Sequence, residues 1–173
     1  MLVKKIVVGN LKENCYILEE KNYSIIIDPG DDYEKILNNI VKKPKFILIT
    51  HSHFDHIGAL QNIKEKFGIK DYNYNNLKEG INEIEGVKFE VIHTKGHTSD
   101  SVTYYFKKYN IMFTGDFLFK LCIGRTDMPT GNIYEMRKSI EKIKEYPTNI
   151  TIYPGHGEET SLFYEINNNY FLK

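Results

Sequence analysis

What the chain lacks narrows the reading first. It has only two cysteines, Cys15 and Cys122, far apart and in no Cys-x-x-Cys pair; this argues against a thiolate zinc site or a dithiol redox motif and reads as two buried, reduced thiols. It has no excess of either charge: lysine plus arginine and aspartate plus glutamate number 23 each, so the basic face of a nucleic-acid binder is not expected. No apolar run approaches the roughly 18 residues that cross a bilayer, so no membrane partner is expected. The opening Met1-Leu2-Val3-Lys4-Lys5-Ile6-Val7-Val8-Gly9 carries lysines within it and no small-residue cleavage site, which makes cytoplasm the expected compartment. No linker or low-complexity segment divides the chain, and 173 residues suit one domain over 1-173.

What is present alternates between β-rich runs and amphipathic helices. Residues 2 to 8, Cys15 to Leu18 and Tyr23 to Ile27 read as strands, the last two joined by a polar turn at Glu20-Lys21-Asn22. Asp31 or Asp32 is positioned to cap a helix running to about Lys42, with Tyr33, Ile36, Leu37 and Ile40 on one face. Phe46 to Ile49 is a short buried strand, and a helix from about Ile57 to Phe67 stops at Gly68. After a polar stretch around residues 71 to 86 come strands at Val87 to His93, Ser101 to Phe106 and Ile111 to Thr114. A helix at about Ile133 to Lys144 and a strand at Ile150 to Tyr153 follow. The order predicts two similar halves, each a sheet with helices, the sheets packed together and the helices outside.

The chemistry starts where a buried strand ends. His51-Ser52-His53-Phe54-Asp55-His56 sets four metal-capable side chains in one turn, where a backbone released from the sheet can aim them at one volume. Three further candidates also follow strand ends beside glycine: His97 after Gly96, Asp116 after Gly115, and His156 between Gly155 and Gly157. Glycine at such places permits tight turns and close backbone approach. Five of the six histidines are thereby placed at strand-end turns. Imidazole and carboxylate donors suit zinc, iron or manganese. Seven ligands exceed one tetrahedral site, and two ions sharing a carboxylate would use them all.

These ordered motifs, Thr50-His51-Ser52-His53-Phe54-Asp55-His56, Gly96-His97-Thr98, Gly115-Asp116 and Gly155-His156-Gly157, resemble those of the metallo-beta-lactamase superfamily over nearly the whole chain. The resemblance implies an α/β fold, a four-layer αββα sandwich with metals at one edge. It also implies that His51, His53 and His97 hold one divalent ion, that Asp55, His56 and His156 hold a second, and that Asp116 bridges them. Zinc is the expected ion, with iron or manganese accommodated by the same donors. Asp116 and His53 separate the chain from the beta-lactamase and flavodiiron patterns. Thr114-Gly115-Asp116-Phe117-Leu118-Phe119, Ile123-Gly124-Arg125-Thr126-Asp127 and Tyr153-Pro154-Gly155-His156-Gly157 with Tyr164-Glu165 are similar to glyoxalase II-like hydrolases.

That branch implies hydrolysis of a small thioester, S-D-lactoylglutathione or a similar molecule, by a hydroxide held between the ions. Asp55 and Asp116 are the catalytic carboxylates: Asp55 also orients the nucleophile, and Asp116 sets the spacing of the ions. Arg125 occupies the place of a basic residue that contacts the thiol carrier, and a guanidinium can grip a carboxylate with two hydrogen bonds; an Arg125–Asp127 surface pair is the other reading. The chain departs from full-length glyoxalase II in three respects. Only 17 residues follow His156, which leaves no room for the C-terminal helical domain; Glu158 stands near the place of a glutathione-binding tyrosine; and Lys95 replaces a frequent proline. His93 reads as a hydrogen-bonded structural histidine, with outer support of the metals as the alternative, and Asp28 in Asp28-Pro29-Gly30 as a turn or capping residue. The rival activities are a mono-iron persulfide dioxygenase using His51, His97 and Asp116, and hydrolysis of another ester or phosphodiester. A non-catalytic metal-binding module is a third possibility, and retention of every ligand argues against it.

Overall fold

Phe46, Ile47, Leu48 and Ile49 follow one another without a polar residue, which a strand sustains only when both its faces are covered. In the computed structural model, which describes residues 1–173, Phe46 and Leu48 face an opposing sheet while Ile47 and Ile49 face helices. The same division splits Ile25 and Ile27 from Ile26. The period-two alternation of a strand therefore feeds two separate cores.

The first half runs β1 (Leu2–Val8), β2 (Glu13–Glu19), β3 (Ser24–Ile27), α1 (Tyr33–Asn39), β4 (Pro44–Leu48), α2 (Phe54–Ile57), α3 (Leu60–Phe67) and β5 (Lys70–Tyr72). Its sheet has the order β1-β2-β3-β4-β5, antiparallel from β1 to β3 and parallel from β3 to β5. The second half runs β6 (Gly80–Ile84), β7 (Val87–His93), β8 (Val102–Phe106), β9 (Ile111–Gly115), β10 (Leu118–Phe119), β11 (Cys122–Ile123), α4 (Ile133–Lys144), β12 (Thr151–Pro154), β13 (Thr160–Ser161) and α5 (Leu162–Asn168). Its six-stranded sheet is ordered β13-β12-β9-β8-β7-β6, with β10 and β11 forming a separate hairpin. Between the sheets lie Tyr16, Leu18, Phe46, Phe89, Tyr104 and Phe113 with their neighbours. Ile36 and Ile63 from the helices close the outer face of the first sheet, and Met136, Ile140, Ile143 and Leu162 close that of the second. The result is one domain of four layers, αββα.

Two buried tyrosines tie the sheets together at one edge. Tyr16 on β2 donates to the Pro154 carbonyl (2.6 Å), and Tyr104 on β8 donates to that of Ile49 (2.7 Å). Their hydroxyls are satisfied at the sheet ends, where the backbone leaves the ladder and has carbonyls to spare. The Val102 amide donates to the Thr50 carbonyl (2.9 Å) at the same edge.

Several local expectations are corrected. Asp32 precedes α1 but makes no cap; it has a positive φ of 46° and accepts instead from the Gly9 amide at 3.0 Å. The helix ends at Asn39 rather than near Lys42: Ile40 is already extended, with φ −82° and ψ 105°, and the chain turns toward β4, where the Lys42 and Lys43 carbonyls accept from Ser24. The second helix starts earlier than expected, at Phe54, and is broken after Ile57. The Ala59 amide donates to the Pro29 carbonyl, and the Gly58 Cα lies so close to Gly30 that a Cβ would sit 2.2 Å from its carbonyl oxygen. The polar stretch 71 to 86 contributes to the half-exposed edge strands β5 and β6. Cys15 is buried as expected, but Cys122 is exposed: in the two-stranded hairpin of β10 and β11, Leu118 and Ile123 turn into the core and Cys122 faces outward. No helix is long and apolar enough to cross a membrane.

Candidate metal centre

Every candidate ligand lies at the edge where the two sheets meet. The turn after β4 carries His51, His53, Asp55 and His56; the turn beyond β7 carries His97; β9 ends at Gly115 before Asp116; and β12 ends at Pro154, two residues before His156. The β9 and β12 ends are locked side by side by the Gly155 amide, which donates to the Gly115 carbonyl at 2.8 Å. Gly155 has to be glycine: a Cβ there would stand 2.3 Å from Asp116 Oδ1 and 2.7 Å from His56 Cε1.

The side chains form two adjoining groups. In the first, His53 Nδ1 lies 3.1 Å from His51 Nε2 and 3.0 Å from His97 Nε2. In the second, His156 Nε2 is 3.3 Å and His56 Nε2 3.9 Å from Asp55 Oδ2. Asp116 stands between them, with Oδ1 3.3 Å from His56 Nε2 and Oδ2 3.5 Å from His97 Nε2 and 3.6 Å from His156 Nε2. The structure thus brings together all seven residues singled out as metal ligands.

The hydrogen bonds on the far side of each ring fix what the near side offers. The Nδ1–H of His97 donates to the Arg125 carbonyl (2.8 Å) and that of His156 to the Leu11 carbonyl (3.1 Å). A carbonyl can only accept, so in the neutral form each ring carries its proton on Nδ1 and presents Nε2 as a lone pair. His56 Nδ1 is held at 3.0 Å by Asp28 Oδ2. Thr50 Oγ1 donates to the same Asp28 oxygen (2.6 Å), which leaves its own lone pair for His51 Nδ1 at 3.1 Å. Lone pairs thus face one another across about three ångströms, and His56 Nε2 and Asp116 Oδ1 are buried with no hydrogen-bond partner. Such an arrangement is costly without a cation and natural with one, so the donor set fits divalent metal at both groups.

Electrostatics separate the two groups. Burial, reinforced by His56, pushes the His51 imidazole well below its usual range, and burial with His97 lowers His53; both present uncharged nitrogens at neutral pH. Burial alone would raise Asp116, yet the His56 ring 3.3 Å away, with His51 and His156, holds its carboxyl well down. For His56 burial is overcome by Asp116 and Asp28, and for His156 by Asp55, so both imidazoles are raised.

Two residues near the centre were not expected there. Asp28 does not cap a helix. At a positive φ of 47° it accepts from the Thr50 amide (2.7 Å), the Thr50 hydroxyl and His56, so it orients a ligand. The only signal for it in the sequence is its place at the end of a strand preceding the one that carries the histidines. Glu13 is buried 3.8 Å from His56 Nδ1 with both oxygens unpartnered, and burial pushes its carboxyl well up. Nothing in its local pattern marks it.

The centre forms the floor of a cleft of about 380 Å³ whose walls include Leu11, Phe54, Phe119, Arg125 and Met128. The Arg125 guanidinium is engaged by Asp127 through two bonds of 2.8 and 2.9 Å on the exposed rim, the surface pair that the sequence leaves as an alternative. His93 lies apart from the centre, its ring tilted against Tyr74 with centroids 4.6 Å apart and its Nδ1 3.8 Å from Glu79; its Nε2 is buried without a partner, so the ring is not the hydrogen-bonded histidine expected.

Comparison with known proteins fits this geometry. The family described as the metallo-beta-lactamase superfamily matches residues 8–79 and 74–156. The chain is 34% identical to the probable metallo-hydrolase YqgX of Bacillus subtilis, over 98% of this chain and 96% of that protein. It is 31% identical to the hydroxyacylglutathione hydrolase GloC of Haemophilus influenzae, over 99% and 98%. Among solved structures, the B3 metallo-beta-lactamase BLEG-1 superposes with a TM-score of 0.96 at 31% identity, covering 99% of each chain. TTHA1623 in a di-iron-bound form gives 0.89 at 29%, over 98% of this chain and all of that one. ETHE1 from Myxococcus xanthus gives 0.90 at 24%, a likeness of fold, over 98% and 84%.

Proposed function

Since the chain belongs to the metallo-beta-lactamase superfamily, we propose that it is a dinuclear metal-dependent hydrolase that cleaves small thioesters, S-D-lactoylglutathione or a close analogue among them. The observation that carries this reading is the second ligand group. A single ion would need only His51, His53 and His97, yet Asp55, His56 and His156 converge beside them with Asp116 between. Full-length similarity to a hydroxyacylglutathione hydrolase supports the thioester, and the whole span 1–173 is read as one catalytic domain acting on a small molecule in the cytoplasm.

His51, His53 and His97 would hold the first ion, Asp55, His56 and His156 the second, and Asp116 both. Zinc is the ion assigned first, with iron and manganese served by the same donors. When bound, the pair supplies a hydroxide near neutral pH and a Lewis acid for the substrate carbonyl. Asp55, held ionised against burial by His156, whose Nε2 lies 3.3 Å away, and by His56, offers a carboxylate oxygen that orients the attacking oxygen toward the carbonyl carbon. The departing thiolate is stable in water, so no side chain has to protonate it. Arg125 would meet an anionic end of the thiol carrier by exchanging the Asp127 carboxylate for that of the substrate.

The segment Gly124-Arg125-Thr126-Asp127 and the ETHE1-like fold favour one other reading, a mono-iron persulfide dioxygenase on His51, His97 and Asp116. One assay separates the two. Purified, metal-loaded protein is given S-D-lactoylglutathione and other thioesters under strict anaerobiosis, then glutathione persulfide in air, with a chromogenic beta-lactam as a further arm. Release of free thiol without oxygen, and no oxygen uptake with persulfide, is the expected result. Oxygen uptake with inert thioesters, or cleavage of the beta-lactam alone, would overturn the thioesterase reading.

A further inference from the structure

The metal cleft does not end at its ligands. Leu11 and Phe54, with Asp55, also wall a second cavity of about 300 Å³ that extends behind the cleft between the β1–β2 turn and the start of α2. Its remaining lining is Val8, the backbones of Gly9, Gly30 and Gly58, and the polar side chains of Asn10 and Asp31, so a chain entering it runs along Val8, Leu11, Phe54 and bare main chain with polar groups beside it. Leu11 is 54% and Phe54 74% exposed, and no core residue packs over either. Large apolar side chains left open together beside a polar centre mark a binding surface.

The placement of these residues distinguishes the two ends of a substrate. Leu11 is joined to the second ligand group, its carbonyl accepting from His156, and Phe119 lies on the other side of that ring with centroids 6.2 Å apart. Phe54 sits between His53 and Asp55 in the chain. Arg125 and Met128 line the same cleft, and Arg125 is joined to the first ligand group, its carbonyl holding the Nδ1–H of His97. A carbonyl carbon placed over Asp55 and Asp116, with its thiol carrier leaving toward Arg125, therefore directs its acyl group toward Leu11 and Phe54. Asp31, at the far side of the second cavity, would repel an anionic tail there.

We infer that the cavity bounded by Leu11 and Phe54 is an acyl-chain pocket, and that the preferred substrates are thioesters of short, uncharged acids with an aliphatic chain. This rests on the hydrolase reading above and narrows its substrate class.

The test holds the carrier constant and varies the chain. N-acetylcysteamine thioesters with lactoyl, acetyl, propionyl, butyryl and hexanoyl groups are compared for kcat/KM with the metal-loaded enzyme. Binding of the uncleavable S-ethyl, S-propyl and S-butyl thioethers is measured in parallel by calorimetry. Each buried methylene should raise kcat/KM by about fourfold, so butyryl should exceed acetyl by about 15-fold, with thioether affinity rising in step. Leu11→Ala should cut the butyryl-to-acetyl ratio by about threefold or more. A flat or falling series in both measurements, with thioesters still cleaved, overturns the pocket and leaves the hydrolase. Affinity that climbs with chain length while no thioester is cleaved upholds the pocket and overturns the hydrolase reading.

Discussion

His56 and Asp28, 28 residues apart in sequence, are joined through Nδ1 and Oδ2 at 3.0 Å in a place where both side chains are almost wholly buried. The contact leaves the other nitrogen of the ring for the cluster, and it exists because β3 and β4 run parallel, so that the chain leaves both strands at the same edge. Carboxylates in this position act on the metal through the ring they hold.

Asp28→Ala should therefore weaken the second ion about 10- to 100-fold, in line with the loss of such outer partners, and the first less, since Asp28 reaches His51 only through Thr50. Asp28→Asn, whose amide oxygen can still accept from His56, should be milder. Titration of the metal-free variants with zinc against a competing chelator measures this. Equal affinity of wild type and Asp28→Ala would return Asp28 to a turn residue.

Much of this centre is legible in the amino-acid sequence. The four candidate ligands of the His51 to His56 turn fall within six residues, and His97, Asp116 and His156 each sit beside a glycine after a strand, so local pattern alone marks them. Asp28 and Glu13 are not legible as parts of it, because their roles depend on which strands pair and in what direction. The layers follow from runs such as Phe46 to Ile49. The edge strands β5 and β6 do not, since half-exposed strands of mixed polarity carry little periodicity. Asp32 has the right residue type for a cap, but tertiary contact with Gly9 claims its side chain.

The Arg125–Asp127 pair has a pH signature. The guanidinium hydrogen bonds pull the Asp127 carboxyl down to about 2. A carboxyl depressed in the folded state stabilises it above the unfolded value of about 3.9, and that contribution fades as pH falls through the folded one. Both side chains are exposed, so the effect on stability is small and the resonance is the better probe. Carbon-detected NMR should find the Asp127 midpoint near 2, returning to about 3.9 in Arg125→Ala. If Arg125 also meets the substrate, the same variant should raise KM more than it lowers kcat. An ordinary Asp127 midpoint in the wild type would show the guanidinium free.

The two-sided burial of β4 makes Ile47 a sharp test of the layering. It is fully buried in the core between the first sheet and its helices. Ile47→Ala should cost about 2–5 kcal/mol in denaturant unfolding, as truncation of a closely packed aliphatic side chain does. A loss below about 1 kcal/mol, the range of a surface change, would mean that the helices do not cover that face.

The central claim is that seven side chains hold two ions with Asp116 between them, and the metal-to-protein ratio tests it most directly. Wild type, His156→Ala and Asp116→Ala are purified together, loaded with excess zinc, desalted and analysed for metal. The account predicts close to two ions per chain in the wild type, close to one in His156→Ala, and poorer retention of both in Asp116→Ala. One ion per chain in the wild type, unchanged by His156→Ala, would contradict it.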